Sequence, residues 1–216
     1  MERDPRPRVG VLAIQGDVEA HARALEGVGA RPETVLREKD LDGLAGLVLP
    51  GGESTTIAMG LERLRLYEPL RAFAEAGNAV LGTCAGAILL ARSASNHPVR
   101  TLGLIDLEAR RNAYGTQVDS FSAFADPPEP EEAAAGAFEG MRCVFIRAPR
   151  LADLGAAVEV LARVDGAPVL VRQGRVIACS FHPELGDDPR VHALLLAEVL
   201  PEVLPKVLPE AVPGAG

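Results

Sequence analysis

The chain has 216 residues, 48% of them hydrophobic and 24% charged, which is material for one sizeable core and too little length for two full domains. A formal charge of -8 and a pI near 5.1 argue against nucleic-acid or anionic-membrane binding, both of which need a concentrated positive surface. The longest uncharged apolar run is too short to span a bilayer, "MERDPRPR" lacks the apolar core of a secretory signal, and the cysteines at 84, 143 and 179 have neither paired nor C-x-x-C spacing. The expectation is a cytoplasmic protein that works on small molecules and uses neither metal nor cofactor.

Residues 8–14 ("RVGVLAI") predict a first strand. Asp17 then predicts the cap of a helix running toward Val28 and ended by Gly29. Residues 33–37 offer a second strand and residues 46–50 a third, followed by Gly51, Gly52 and Ser54 as the cap of the next helix. A short buried strand over residues 79–83 leads into "GTCAGAILLA", residues 82–91, which opens an apolar helix. Hydrophobicity is continuous in these strands, with helices between them, as a parallel sheet covered on both faces requires. From Leu102 onward the pattern is mostly strand-like: residues 102–108, 120–125, 141–146, 158–164, 168–172 and 176–181. "RQGRV" reads as a hairpin turn centred on Gly174, and a helix from about Pro189 to Leu200 closes the domain. Residues 126–135 form an acidic, proline-rich surface loop. The organisation is a flexible N-terminus over residues 1–7, one domain over 8–200 and a proline-rich tail over 201–216. The fold class is α/β, a mostly parallel central sheet flanked by helices, with antiparallel strands added in the second half.

Cys84 stands at the corner between a strand and a helix, in "GTCAG", the spacing of the G-x-S-x-G nucleophile elbow. Flanking glycines permit a tight turn that leaves the nucleophile exposed. Cysteine is also among the most often buried residues, so two readings stand side by side: a core turn that contains a thiol, or a nucleophile held up for attack.

A cysteine nucleophile needs a base, and the base needs a third group to orient it. His21 in the first helix, His97 in the polar loop "SNHPV" and His192 in the last helix read as surface residues. His182 differs. It follows the apolar strand "VIACSF" and precedes Pro183, so it leaves the sheet at a strand's carboxyl end, the edge where α/β sheets gather ligands. Glu184, two residues on, points to the same side of an extended chain and can reach the far nitrogen of the imidazole. The other reading is a strand-ending turn with a surface histidine.

"LPGGEST" (49–55), "GTCAG" (82–86) and "SFHPE" (180–184) together resemble the class I, triad-type glutamine amidotransferases, whose fold is flavodoxin-like. More narrowly, "LAIQG", "PGGESTT", "GTCAGAILLA", "RRNAYGTQVDSF", "FIRAP" and "CSFHPEL" are similar to the glutaminase subunits of pyridoxal 5′-phosphate synthases, over residues 9–200. The resemblance implies hydrolysis of L-glutamine to L-glutamate and ammonia. It implies a partner too, a separate synthase subunit that builds the coenzyme from a pentose phosphate and a triose phosphate. Carried over residue by residue, it makes Cys84, His182 and Glu184 the triad. Gly52 and Ala85 become the backbone donors to the oxyanion, and Gly52, Glu53, Ser54, Arg111, Ile146 and Arg147 the substrate contacts. Two positions depart from the family pattern: Thr116 in "YGTQ" replaces a basic residue, and Ala20, not an acid, directly precedes His21. The alternatives are a glutaminase subunit serving a different acceptor, or a related cysteine hydrolase.

Overall fold

Apolar runs at Arg8–Leu12 (β1), Arg31–Val35 (β2), Gly46–Leu49 (β3) and Ala79–Thr83 (β4) become parallel strands in the computed structural model, which describes residues 4–96, 99–110, 120–129 and 133–200. Helices Val18–Gly27 (α1), Ser54–Leu64 (α2) and Tyr67–Glu75 (α3) lie between them. A short helix, Ala85–Leu90 (α4), follows β4. Strands Ala91–Ser95 (β5), Ile105–Arg110 (β6), Ser120–Phe124 (β7), Arg142–Ile146 (β8) and Arg150–Ala152 (β9) make two small sheets. Glu159–Val164 (β10), Ala167–Gln173 (β11) and Val176–Cys179 (β12) return to the main sheet, and Arg190–Val199 forms α5.

The main sheet runs β10-β11-β12-β4-β3-β1-β2. Every pairing from β12 to β2 is parallel, and β10 and β11 add antiparallel strands on one side. This is the α/β architecture that the sequence predicts. Along the central strands, side chains alternate between two hydrophobic clusters: Leu47 and Leu49 face one, Val48 the other; Val80 faces one, Ala79 and Leu81 the other. Both faces of the sheet are therefore covered, which is why these strands carry no polar alternation. Pro32 sits in β2, an edge strand, where one side of the chain needs no ladder donor.

Local chemistry sets the boundaries. Asp17 caps α1 as expected, accepting the N–H of Ala20 at 2.9 Å, and Gly29 at φ 90° ends it while the Ala30 N–H returns to the Leu25 carbonyl at 2.9 Å. The predicted cap Ser54 is instead the first residue of α2. Its side chain turns into the protein, and Glu53 caps the helix by accepting the N–H of Thr56 at 2.8 Å. The second strand starts two residues before its predicted position, at Arg31. The helix after Cys84 stops at Leu90, because Ala91 pairs with Ile105 and draws the chain into β5, a long-range pairing that no local pattern encodes. Among the described residues no helix is long and apolar enough to cross a membrane. The tail over residues 201–216 lies outside the described residues.

Candidate active site

β3, β4 and β12 are neighbours in parallel register, with Leu49 opposite Gly82 and Thr83 opposite Cys179. All three strands end at the same edge of the sheet. The residues that follow them, 50–54, Cys84 and 180–184, therefore emerge together at the carboxyl end, where open α/β sheets place their sites.

Cys84 has φ 48° and ψ -104°, a conformation that a residue with a Cβ adopts only when its surroundings enforce it. The Cys84 N–H is held by the Cys179 carbonyl at 2.9 Å, and the Cys84 carbonyl accepts the Ile88 N–H at 3.2 Å. The turn is thus tied both to β12 and to α4. The flanking glycines are required by close approach. A Cβ on Gly82 would lie 2.6 Å from the Gly86 carbonyl carbon, and one on Gly86 would overlap the Leu49 carbonyl oxygen. Since backbone cannot step aside as a flexible side chain can, Gly86→Ala is expected to lower stability by about 3 kcal/mol. An unchanged urea midpoint would show that α4 does not rest on β3 in this way.

His182 donates from Nδ1 to Glu184 Oε1 at 2.7 Å, which leaves its other nitrogen for Cys84, whose thiol donates to the Ile146 carbonyl at 3.7 Å. The chain is not extended here: residues 183–185 form a single 3₁₀ turn started by Pro183. The turn still brings Glu184 beneath the ring, with its side chain 2% exposed. Burial pushes the His182 pKa down, but its interactions with Cys84 and Glu184 outweigh it and hold it up at about 10. Burial pushes the Glu184 carboxyl up, and the bond from His182 together with the nearby imidazoles leaves it below its ordinary value. The other two thiols are inert by environment, since burial raises Cys143 to about 12 and takes Cys179 well above its ordinary value.

A cavity of about 150 Å³ opens against this corner, the size of a small polar molecule and not of a polymer. Cys84, Ala85 and His182 line it on one side, with Gly52, Glu53, Ser54, Ile146 and Arg147 around them. All but two of the site residues expected from the sequence thus line this one cavity. Glu184 sits behind His182, and Arg111 lies outside the described residues, as do Thr116 and His97. Ile88 lines the same cavity and was not anticipated. Gly52 has φ 145°, open to glycine alone, and Gln15 Oε1 accepts the N–H of Glu53 at 3.0 Å, fixing the loop from β1's side. Arg147 is also in the left-handed region, at φ 45°, which turns the chain at the cavity rim. The Ser54 hydroxyl is buried without a hydrogen-bond partner and is left for a ligand.

A model of the SNO glutamine amidotransferase family matches residues 11–200. The chain belongs to that family. The pyridoxal 5′-phosphate synthase subunit PdxT of Frankia casuarinae is 52% identical over 195 residues, 89% of this chain and 95% of its own. The subunit of the same name from Thermotoga maritima is 44% identical over 192 residues, 89% and 99% of the two chains. Among solved structures, a crystal structure of a glutamine amidotransferase aligns with TM-score 0.80 at 44% identity, covering 88% of this chain and 98% of that one. PurLQS from Thermotoga maritima aligns at TM-score 0.64 and 21% identity, over 92% and 98%, which shows the fold alone.

Two residues of this amidotransferase correct the reading from sequence. His21 and His192 were expected on helix surfaces, yet both are fully buried. His21 Nδ1 meets His192 Nε2 at 3.0 Å, and His21 Nε2 lies 3.4 Å from Glu184 Oε2. Each falls in an amphipathic helix where a polar residue reads as outward, and they are 171 positions apart, so no local signal could pair them. Ala20, next to His21 in the chain, is buried, whereas Glu19 points to water and Arg23.

Proposed function

We propose that this chain is the glutaminase subunit of a pyridoxal 5′-phosphate synthase, hydrolysing L-glutamine to L-glutamate and ammonia and passing the ammonia to a separate synthase subunit. That partner would build the coenzyme from a pentose phosphate and a triose phosphate. The observation that carries the reading is that Cys84 and His182 line one cavity beside Gly52 and Ala85, with Glu184 bonded to His182 from behind.

Cys84 Sγ attacks the carboxamide carbon, with the positive charge of His182 beside it. The carbonyl oxygen gains negative charge in the tetrahedral intermediate and is met by the backbone N–H groups of Gly52 and Ala85. His182 gives its proton to the leaving nitrogen, the C–N bond breaks, and ammonia and a thioester result. Water, deprotonated by His182, then attacks the thioester carbon, the C–S bond breaks, and glutamate leaves as the thiol is restored. Arg147, and Arg111 by the family resemblance, suit the substrate's α-carboxylate, and Glu53 and Ser54 its ammonium end. Three free cysteines, one of them the catalytic thiol, fit a reducing compartment, which supports a cytoplasmic setting.

Ammonia released without an acceptor wastes glutamine, and the 51–52 peptide has the freedom to present either an N–H or a carbonyl oxygen to the oxyanion. Partner binding that favours the N–H orientation by about 3 kcal/mol would raise its population ratio roughly a hundredfold. Ammonia production at saturating glutamine is therefore expected to rise about a hundredfold when the synthase is added. Gly52→Ala, strained at φ 145°, should lose that response. Equal turnover with and without the synthase would sink the coupling while leaving the triad intact.

A further inference from the structure

The triad does not end at Glu184. Its Oε1 serves His182, while Oε2 is buried with no hydrogen-bond partner. Facing Oε2 at 3.4 Å is Nε2 of His21, on α1, which also lies 3.3 Å from the hydroxyl of Thr83, the residue before the nucleophile. Behind His21 stands His192, on α5, ring against ring at 5.2 Å between centroids. α1 thus reaches this carboxylate directly, while β4 and α5 reach it through His21.

The protons on this pair follow from what each nitrogen faces. The single bond between His21 Nδ1 and His192 Nε2 needs one donor and one acceptor. If His21 donated, a neutral His192 would carry its proton on Nδ1, which is buried and has no partner. His21 Nε2 would then turn a lone pair toward Glu184. The opposite arrangement leaves only a buried acceptor unpaired, which is the smaller penalty, and aims an N–H at the carboxylate. Burial lowers the pKa of both rings, His192 to about 3, so both are neutral.

We propose that His21 and His192 are positioning residues: His192 Nε2–H fixes the tautomer of His21, and His21 Nε2–H holds the second oxygen of Glu184 so that the first stays aimed at His182. The proposal rests on the glutaminase reading. A separation of 3.4 Å is long for a hydrogen bond, and such contacts commonly tighten when substrate is bound.

His192→Phe keeps the ring and removes the donor, while His192→Gln restores an N–H on a side chain of similar reach. With the synthase present, His192→Phe is expected to lower kcat about tenfold with KM within about twofold, and His192→Gln to recover most of the loss. A purely structural role predicts the reverse order, because phenylalanine suits a buried site and an unpaired amide does not. Finding the reverse order, or equal kcat in both variants, would overturn the proposal. Nitrogen NMR of the imidazoles tests it without any turnover: His21 is expected neutral with its proton on Nε2. A proton on Nδ1, or on both nitrogens, would equally overturn it. Absence of ammonia release from the unaltered complex would count against the glutaminase reading, and the NMR result would still decide the relay.

Discussion

Cys84→Ala is expected to abolish glutamine-dependent ammonia release while the chain stays folded. Removing the nucleophile of a triad costs on the order of 10⁶ in turnover, because nothing else in the site can form the covalent intermediate. Stability should hardly move, since alanine keeps the Cβ and with it the unfavourable backbone at φ 48°. Cys84→Gly separates the two effects. It is equally inactive but relieves that strain, and its denaturation midpoint should correspond to about 1 kcal/mol of added stability. Cys143 and Cys179, fully buried and with raised pKa values, should be replaceable by alanine without loss of chemistry. An electrophilic glutamine analogue should label Cys84 alone. Activity surviving in Cys84→Ala, or an adduct mapped to either other cysteine, would remove the nucleophile assignment.

What the sequence makes legible is what local physics dictates. "GTCAG" could be read because Gly82 and Gly86 answer to backbone atoms a few ångströms away, and only glycine fits there. His182 could be read because an apolar strand ends just before it, and a strand's carboxyl end in a parallel sheet is a place for chemistry. The sheet itself was legible from unbroken apolar runs, which need cover on both faces. Long-range contacts were not. Nothing within "AILLARSAS" says that helix becomes strand at Ala91, because the cause is β6, more than ten residues on. Glu53 took the capping role from Ser54 because the serine side chain is buried in the site, a fact about the cavity and not about helices. The two histidines are the sharpest case. A polar residue on an apolar helix face is ordinary alone, and acquires meaning only when a partner from the other end of the chain arrives at 3.0 Å.

Glu184→Gln keeps the shape of the triad and removes its charge, and its effect follows from the two pKa shifts. The folded His182 is held up at about 10 against an ordinary 6.5, so its stabilising contribution is complete below about 6.5 and is lost as pH rises toward 10. Glu184 is held below its ordinary 4.5, so its contribution is complete above that value and is lost as pH falls through its depressed folded pKa. Between about 4.5 and 6.5 both groups are charged in the unfolded-state sense as well, and the pair contributes in full. With glutamine at 184, burial still pushes His182 down while one of the two interactions that opposed it has lost its charge. His182 should then release its proton at lower pH, and the basic limb of the pH profile of kcat/KM should move in the acid direction. The amide would also offer either an oxygen or an N–H to Nδ1, so the ring is no longer held to one tautomer. In a serine triad the comparable change costs roughly 10⁴ in turnover, and a thiol depends less on its base, so about a 10³-fold loss is expected here. Melting temperature, measured from pH 7 to 10, should fall more gently in the variant than in the unaltered chain, since less stability is linked to His182. Near-normal ammonia release at neutral pH with an unmoved basic limb would show that Glu184 does not orient His182.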